Sequence, residues 1–200
     1  MKLVVISHPE KIEDEEKIIP HLIDNGLEYF HLRKPDWIEG LIVSLIKKIP
    51  AEYHKKIIIH NHWDLMHEFN LGGIHVRETE KHLISDNRFV FHSVAVHRTN
   101  ELYQLRSGFN YALLSPVFNS ISKINVKAAF DLEKLKTLLT EKHPEVPVYA
   151  LGGINQDNII KAKEIGFEGA AILGFIWDIY KKEGLTKTIS SFKKLQQSCL

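Results

Sequence analysis

Short β-branched runs separated by longer amphipathic stretches recur from the first residues to about Gly174, and no other feature of this chain limits its fold so tightly. A strand that returns parallel to its predecessor needs a crossover of a dozen or more residues, usually a helix, so this alternation is the pattern of a parallel sheet covered by helices. Eight candidate strands begin near Leu3 (LVVIS), Glu28 (EYFHL), Ile57 (IIIHN), Gly73 (GIHV), Phe89 (FVFHSVAV), Tyr111 (YALLS), Val148 (VYALG) and Gly169 (GAAILG). Apolar residues three and four apart predict helices over Glu13–Asn25, Trp37–Ile49, Phe130–Thr140 and Gln156–Ile165. Gly26, Gly72, Gly108 and Gly166 each precede a strand and read as helix C-caps. Eight short strands with tight connections in 200 residues favour closure into a (β/α)₈ TIM barrel over an open doubly wound sheet. Residues 1–200 read as a single domain, with Lys181 to Leu200 as a last helix over the barrel.

The balance of charge narrows the partners. A net charge of +1, with 26% charged residues of both signs interspersed, supplies no field for a nucleic-acid backbone or an anionic membrane. A small molecule is the expected partner. The single cysteine, Cys199, can build neither an intramolecular disulfide nor a cysteine-rich zinc site. The opening MKLVVISHPE has too short an apolar run for a signal peptide and no later run approaches a bilayer span, so a cytoplasmic protein is expected.

In a barrel of this kind the chemistry sits at the C-terminal ends of the strands. The residues there are polar: Ser7 and His8, His31 and Arg33, His60 to His62, His75, His97, Ser115, Gly152 and Gly153, and Gly174. The paired loops LGGINQDN and AAILGFI would let backbone N–H groups approach an anion at a helix start, which implies a phosphate site. Ser93, Ala95 and His97 share a face, and the first two are small, so His97 has room to act as a general acid and base. His60 and His62 have the spacing of two ligands on one side of a strand, to which His67 or Asp64 could be added, but solvated loop histidines are the default reading and no residue is assigned to a metal.

The segment SPVFNSISK (Ser115 to Lys123) resembles the GPVFxTxTK segment of thiamine phosphate synthases and their TenI relatives. YFHLRK resembles VQLReK, IIIHNHWDL the IND segment, GGIHV the DGVHLG segment and SVAVH the GVSxH segment. VYALGGINQDN and GFEGAAIL resemble PVVAIGGI and GADGVAVV, in the same order along the chain. The resemblance implies a barrel, a homodimer, and work on a small phosphorylated thiazole. Synthases of the family join hydroxymethylpyrimidine diphosphate to thiazole phosphate with loss of pyrophosphate, whereas TenI proteins tautomerise a thiazole carboxylate phosphate. By position, Arg33 matches the arginine on the diphosphate, Asn61 the asparagine of IND, and Lys123 the lysine after TxT. Ser120 and Ser122 stand for the two threonines, Gly153 for the thiazole-phosphate loop, and Gly174 for a residue that is generally serine.

The chain also departs from that pattern. His62 stands where a magnesium-binding aspartate is expected, VRETE replaces LGQED, His31 replaces a glutamine, and Pro35 replaces the lysine of LReK. Expelling pyrophosphate draws on Mg²⁺ held by hard carboxylates, and here only Glu78 or Glu80 could replace them, alongside Asn61. Tautomerisation needs no metal or other cofactor, only a phosphate anchor and a proton carrier. The sequence therefore favours a tautomerase with His97 as catalyst and Arg33, Asn61, Ser120, Ser122, Lys123, Gly153 and Gly174 as binding residues. A Mg²⁺-dependent synthase, taking a pyrimidine diphosphate as well, is the alternative. A third reading is a catalytically silent protein that binds a thiazole or thiamine phosphate.

Overall fold

A computed structural model describes residues 1–83, 91–105, 108–119, 128–141 and 144–200. Eight parallel strands close on themselves in chain order. They are β1 (Lys2–Ile6), β2 (Tyr29–Leu32), β3 (Ile57–Ile59), β4 (Gly73–Val76), β5 (His92–Val96), β6 (Tyr111–Leu114), β7 (Val148–Leu151) and β8 (Gly169–Ile172). The expected fifth strand reached back to Phe89; the observed one starts at His92, and Phe89 and Val90 lie outside the described residues. Closure follows from β8 pairing with β1, with Lys2 beside Gly169 and Val5 beside Ile172.

Each strand is buried on both faces, which is why its sequence is nearly all apolar. Leu3 and Val5 point outward into the main core, which also takes Ile18, Ile19 and Leu22 from helix α1 (Glu15–Asp24) and Ile42 and Ile46 from α2 (Glu39–Ile46). Val4, Ile6, Tyr111, Leu113, Tyr149 and Ala171 form a second cluster inside the barrel. Its largest members are the stacked rings of Tyr111 and Tyr149, with centroids 4.3 Å apart. A Cβ at Gly169 would stand 2.6 Å from the Tyr149 ring, so glycine there is the space the tyrosine occupies.

The crossovers are uneven. Full helices follow β1, β2, β6 and β7, as expected, the last two being α5 (Leu132–Glu141) and α6 (Ile159–Ile165). Among the described residues, one turn, α3 (Leu65–Glu68), follows β3, a 3₁₀ segment, Glu78–Leu83, follows β4, and one turn, α4 (Thr99–Leu102), follows β5. The expected terminal helix proves longer. α7 runs Gly174–Cys199 and breaks at Gly184 (φ 76°, ψ −173°), a conformation open essentially to glycine alone. α7 is anchored early: fully buried Trp177 donates its indole N–H to the Ile6 carbonyl at 2.7 Å.

Two of the four expected glycine caps are left-handed, Gly26 (φ 90°) and Gly166 (φ 104°). Gly72 is not; it is needed because a Cβ there would lie 2.3 Å from the Lys55 carbonyl oxygen. Gly108 has ordinary φ, and nothing among the described residues comes close enough to require glycine there. The left-handed residue that ends α3 is Asn70 (φ 53°). No helix among the described residues is long and apolar enough to cross a membrane.

Candidate functional site

Above the interior cluster, at the C-terminal ends of the strands, lies a cavity of about 840 Å³. Ile6, Ala95, Leu113, Leu151 and Ala171 form its apolar floor. One wall carries Arg33 after β2, His60 and Asn61 after β3, His75 at the end of β4, and then Arg77 and Glu78. Gly152, Gly153 and Ile154 after β7 and Gly174 at the start of α7 form the opposite wall. Between them stand His97 after β5 and Ser115 after β6. Arg33, Asn61, His97, Gly153 and Gly174, far apart in sequence, are thus brought together. Ser120, Ser122 and Lys123 lie outside the described residues.

Several of these groups are held by neighbours that the sequence did not single out for the purpose. Buried Ser7 bonds both sides of the Arg33 peptide, accepting from its N–H at 2.7 Å and donating to its carbonyl at 2.9 Å. Asn61 donates its amide to the Lys34 carbonyl at 3.3 Å, which leaves its Oδ1 as the unused acceptor. Lys34 itself is fully buried, donating to Glu15 Oε2 at 2.6 Å and to the carbonyls of His8 and Glu10 at 2.8 Å each. Pro35, in place of the expected lysine, takes the position facing the cavity.

The His97 ring nitrogen Nδ1 lies 3.1 Å from the Ser115 carbonyl oxygen, which can only accept. That contact puts the proton on Nδ1 and leaves Nε2 as the basic nitrogen. The backbone N–H groups of His97 and Arg98 both donate to Glu101 Oε2, at 3.0 and 3.1 Å. Although burial opposes its charge, those N–H donors hold the Glu101 carboxyl below the usual carboxylate range.

The glycine wall is shaped for close approach. Gly152 (φ 100°) and Gly153 (φ 66°) are both left-handed, and a Cβ on Gly153 would stand 2.1 Å from the Asn119 carbonyl oxygen. Asn158 donates to the Gly153 carbonyl at 2.9 Å and accepts from the Asn155 N–H at 2.9 Å, fixing the loop. No carbonyl among the described residues accepts from the N–H groups of Gly153 and Ile154 or from those that open α7. Two sets of backbone donors facing one cavity are a suitable anion site.

His62 does not share a side with His60. Its backbone is left-handed (φ 55°), and its ring lies 3.3 Å from Glu39 and 3.4 Å from the Trp37 carbonyl. His60 instead meets His31 and His75, and one ring nitrogen from each of the three lies within 4.8 Å of the others. Glu80 is drawn onto Arg77, accepting from its backbone N–H at 3.1 Å. Glu78 is therefore the one carboxylate on the cavity wall among the described residues. With Asn61 Oδ1 it makes a short set of hard oxygen donors, of the kind that suits Mg²⁺ when water and substrate phosphates complete the shell. Arg77 was missed in the sequence, though it lies two residues beyond His75 on the inward-facing period.

The profile of the thiamine monophosphate synthase family matches residues 3–176. The thiamine-phosphate synthase of Leuconostoc citreum is 27% identical over 173 residues, 80% of each chain. That of Clostridium acetobutylicum is 25% identical over 192 residues, 90% of this chain and 89% of its own. Among solved structures, thiamine phosphate pyrophosphorylase from Bacteroides thetaiotaomicron superposes with a TM-score of 0.84 at 32% identity, covering 100% of this chain and 98% of that one.

Proposed function

Since the chain belongs to the thiamine monophosphate synthase family, we propose that it joins a pyrimidine carrying a methylene diphosphate to a thiazole phosphate, releasing pyrophosphate. The observation that carries this reading is the two-sided cavity. Arg33 and Arg77 face it with Glu78 and Asn61 on one side, and the Gly152–Gly153 and Gly174 loops face it on the other. A volume of about 840 Å³ is ample for one small heterocycle, and the chemistry of its walls divides between two phosphorylated ends. The relatives named above carry the synthase name, so the alternative weighed in the sequence has more support than the tautomerase first favoured there.

In this reading the thiazole phosphate lies against the N–H groups of Gly153 and Gly174, and the diphosphate against the two arginines. The thiazole forms a bond to the pyrimidine methylene carbon while the carbon–oxygen bond breaks, and its electron pair leaves on pyrophosphate. Mg²⁺, held by Glu78 and Asn61, would supply charge neutralisation for the leaving oxygens. Arg33 and Arg77 add positive charge where negative charge develops, and Ser7 fixes the backbone from which the Arg33 side chain departs.

One observation favours tautomerisation as a second reading: His97 Nε2 is basic and Nδ1 is tied down, so the ring is prepared for proton transfer without a metal. The two readings part in one assay of the purified chain with both substrate sets, with Mg²⁺ and with EDTA. Thiamine phosphate should form only with Mg²⁺, and Arg77→Ala should lower kcat/KM by roughly 10- to 10³-fold, as for loss of one transition-state charge contact. EDTA-resistant tautomerisation, lost in His97→Gln and unaccompanied by thiamine phosphate formation, would replace the synthase reading with the second. Tight thiazole phosphate binding with neither activity would leave a silent binding protein.

A further inference from the structure

The proposed reaction leaves unused a group of histidines beneath the arginine wall. His31 comes from β2, His60 from the residue after β3, and His75 from β4, three neighbouring strands of the barrel. Register explains the meeting. Ile59 pairs with Ile74, so the next residues, His60 and His75, stand level and their rings stack with centroids 4.2 Å apart. His31 pairs with Ile58, two residues below His60 on the same inward face, and its Nδ1 reaches His60 Nε2 at 2.9 Å. His31 and His75 are buried, while His60 and His75 both border the cavity.

We propose that His31, His60 and His75 form a binding site for a divalent transition ion of the zinc class, one ring nitrogen from each, with the remaining coordination position open to the cavity. Three imidazoles plus one open position is a donor set suited to such an ion and unsuited to Mg²⁺, which prefers oxygen. The site is distinct from the oxygen pair of Glu78 and Asn61, and the inference holds whichever reaction the cavity performs.

The hydrogen bonds around the rings support it. A metal-bound histidine normally donates its other N–H to an oxygen that fixes the tautomer. His31 Nε2 is bonded to the Tyr111 hydroxyl, and His75 Nδ1 lies 2.9 Å from Ser93 Oγ. With His31 Nε2 and His75 Nδ1 as the donors, His31 Nδ1, His60 Nε2 and His75 Nε2 are left to face an ion, which would replace the hydrogen bond that now joins the first two. Nitrogens bound tetrahedrally at about 2.1 Å lie about 3.4 Å apart, so the 2.9 Å pair must open slightly and separations of up to 4.8 Å must close. The stacked rings of His60 and His75 must turn about their χ2 torsions for their in-plane lone pairs to converge, a torsion with a broad energy well. Burial foremost, with Arg33 adding to it at His60 and His75, favours the neutral imidazoles, the form that binds a metal.

The test uses the full chain after chelator treatment, titrated with Co²⁺ as a spectroscopic substitute for Zn²⁺. One equivalent should produce the visible absorption of a four- or five-coordinate Co²⁺ ion, be displaced by Zn²⁺, and resist excess Mg²⁺. His75→Gln and His60→Gln should weaken binding by at least about 100-fold, whereas His62→Gln, whose ring turns away toward Glu39, should bind as the parent does. Should those two variants fail to fold, Ser93→Ala tests the same site through the group that orients His75, with an expected loss of about 10- to 100-fold. Absence of the visible band, or equal binding by the parent and the His75 and His60 variants, or by parent and Ser93→Ala, would overturn the proposal.

Discussion

Lys34 and Glu15 pose the sharpest question among single residues, because a charged pair with side-chain exposures of 0% and 1% must be almost fully satisfied to be tolerated. Burial pushes the Glu15 carboxyl up and the Lys34 ammonium down, and their mutual hydrogen bond opposes both shifts. Lys34 has three acceptors, a number only the protonated ammonium can fill, so the pair stays ionic. Lys34→Met should therefore cost about 3–5 kcal/mol in urea unfolding, since it strands a carboxylate with Oε1 already unpartnered. The double change Lys34→Met with Glu15→Leu should recover most of that loss; no recovery would mean that Lys34 acts through its two carbonyl contacts instead. This pair was invisible in the sequence, where Lys34 read only as a neighbour of Arg33. Arg33 and His97 directly follow strands and Asn61 comes two residues after one, which sends them to the rim, and the family resemblance gave Arg33 and Asn61 their roles. The meeting of His31, His60 and His75 was not legible, because it depends on strand register, which spacing along one strand does not reveal.

At the level of elements, Gly153 and Gly184 are both left-handed but differ in what surrounds them. At Gly153 a Cβ would meet the Asn119 carbonyl oxygen at 2.1 Å, whereas at Gly184 nothing lies within 4 Å. Gly184→Ala should thus cost only backbone strain, about 1–3 kcal/mol, and leave phosphate affinity alone. Gly153→Ala must also move the segment after β6, and its affinity for thiazole phosphate should fall at least about tenfold by calorimetry. Unchanged affinity would separate the loop from the anion. Strands were easier to read than crossovers for a related reason. Burial on both faces forces near-continuous apolar runs, so all eight strands were found in place. The connections after β3, β4 and β5 contain only single turns or 3₁₀ segments among the described residues, and four to six residues are too few to show a 3.6-residue period. The break in α7 was missed because a lone glycine in a helical pattern looks like a tolerated weakness until its φ is known.

For the molecule as a whole, the barrel interior sets a pH dependence of stability that metal-free protein should display. His31 and His60 are held well below the ordinary histidine range, foremost by burial, and His75 is pushed down to about 3 for the same reason. In the unfolded chain each titrates near 6.5, so below about pH 6.5 the unfolded state takes up protons that the folded state refuses. Stability must then rise with pH across that window and fall as pH drops through it. Each fully shifted imidazole contributes a loss of about 2 kcal/mol by pH 5. His8 and His92, also lowered by partial burial, add to the same slope. The Glu101 carboxyl, held low, loses its contribution only as pH falls further, and Glu15, raised by burial, takes up its proton in the folded state and opposes the slope, so the several lowered imidazoles set its sign. Urea unfolding in EDTA at pH 7, 6 and 5 should show a falling midpoint with an unchanged m-value, and His75→Gln should flatten the slope by close to one proton. A midpoint that holds steady from pH 7 to 5 would mean the three rings accept protons in the folded barrel, and that its interior is far wetter than the packing of Tyr111, Tyr149 and the histidines implies.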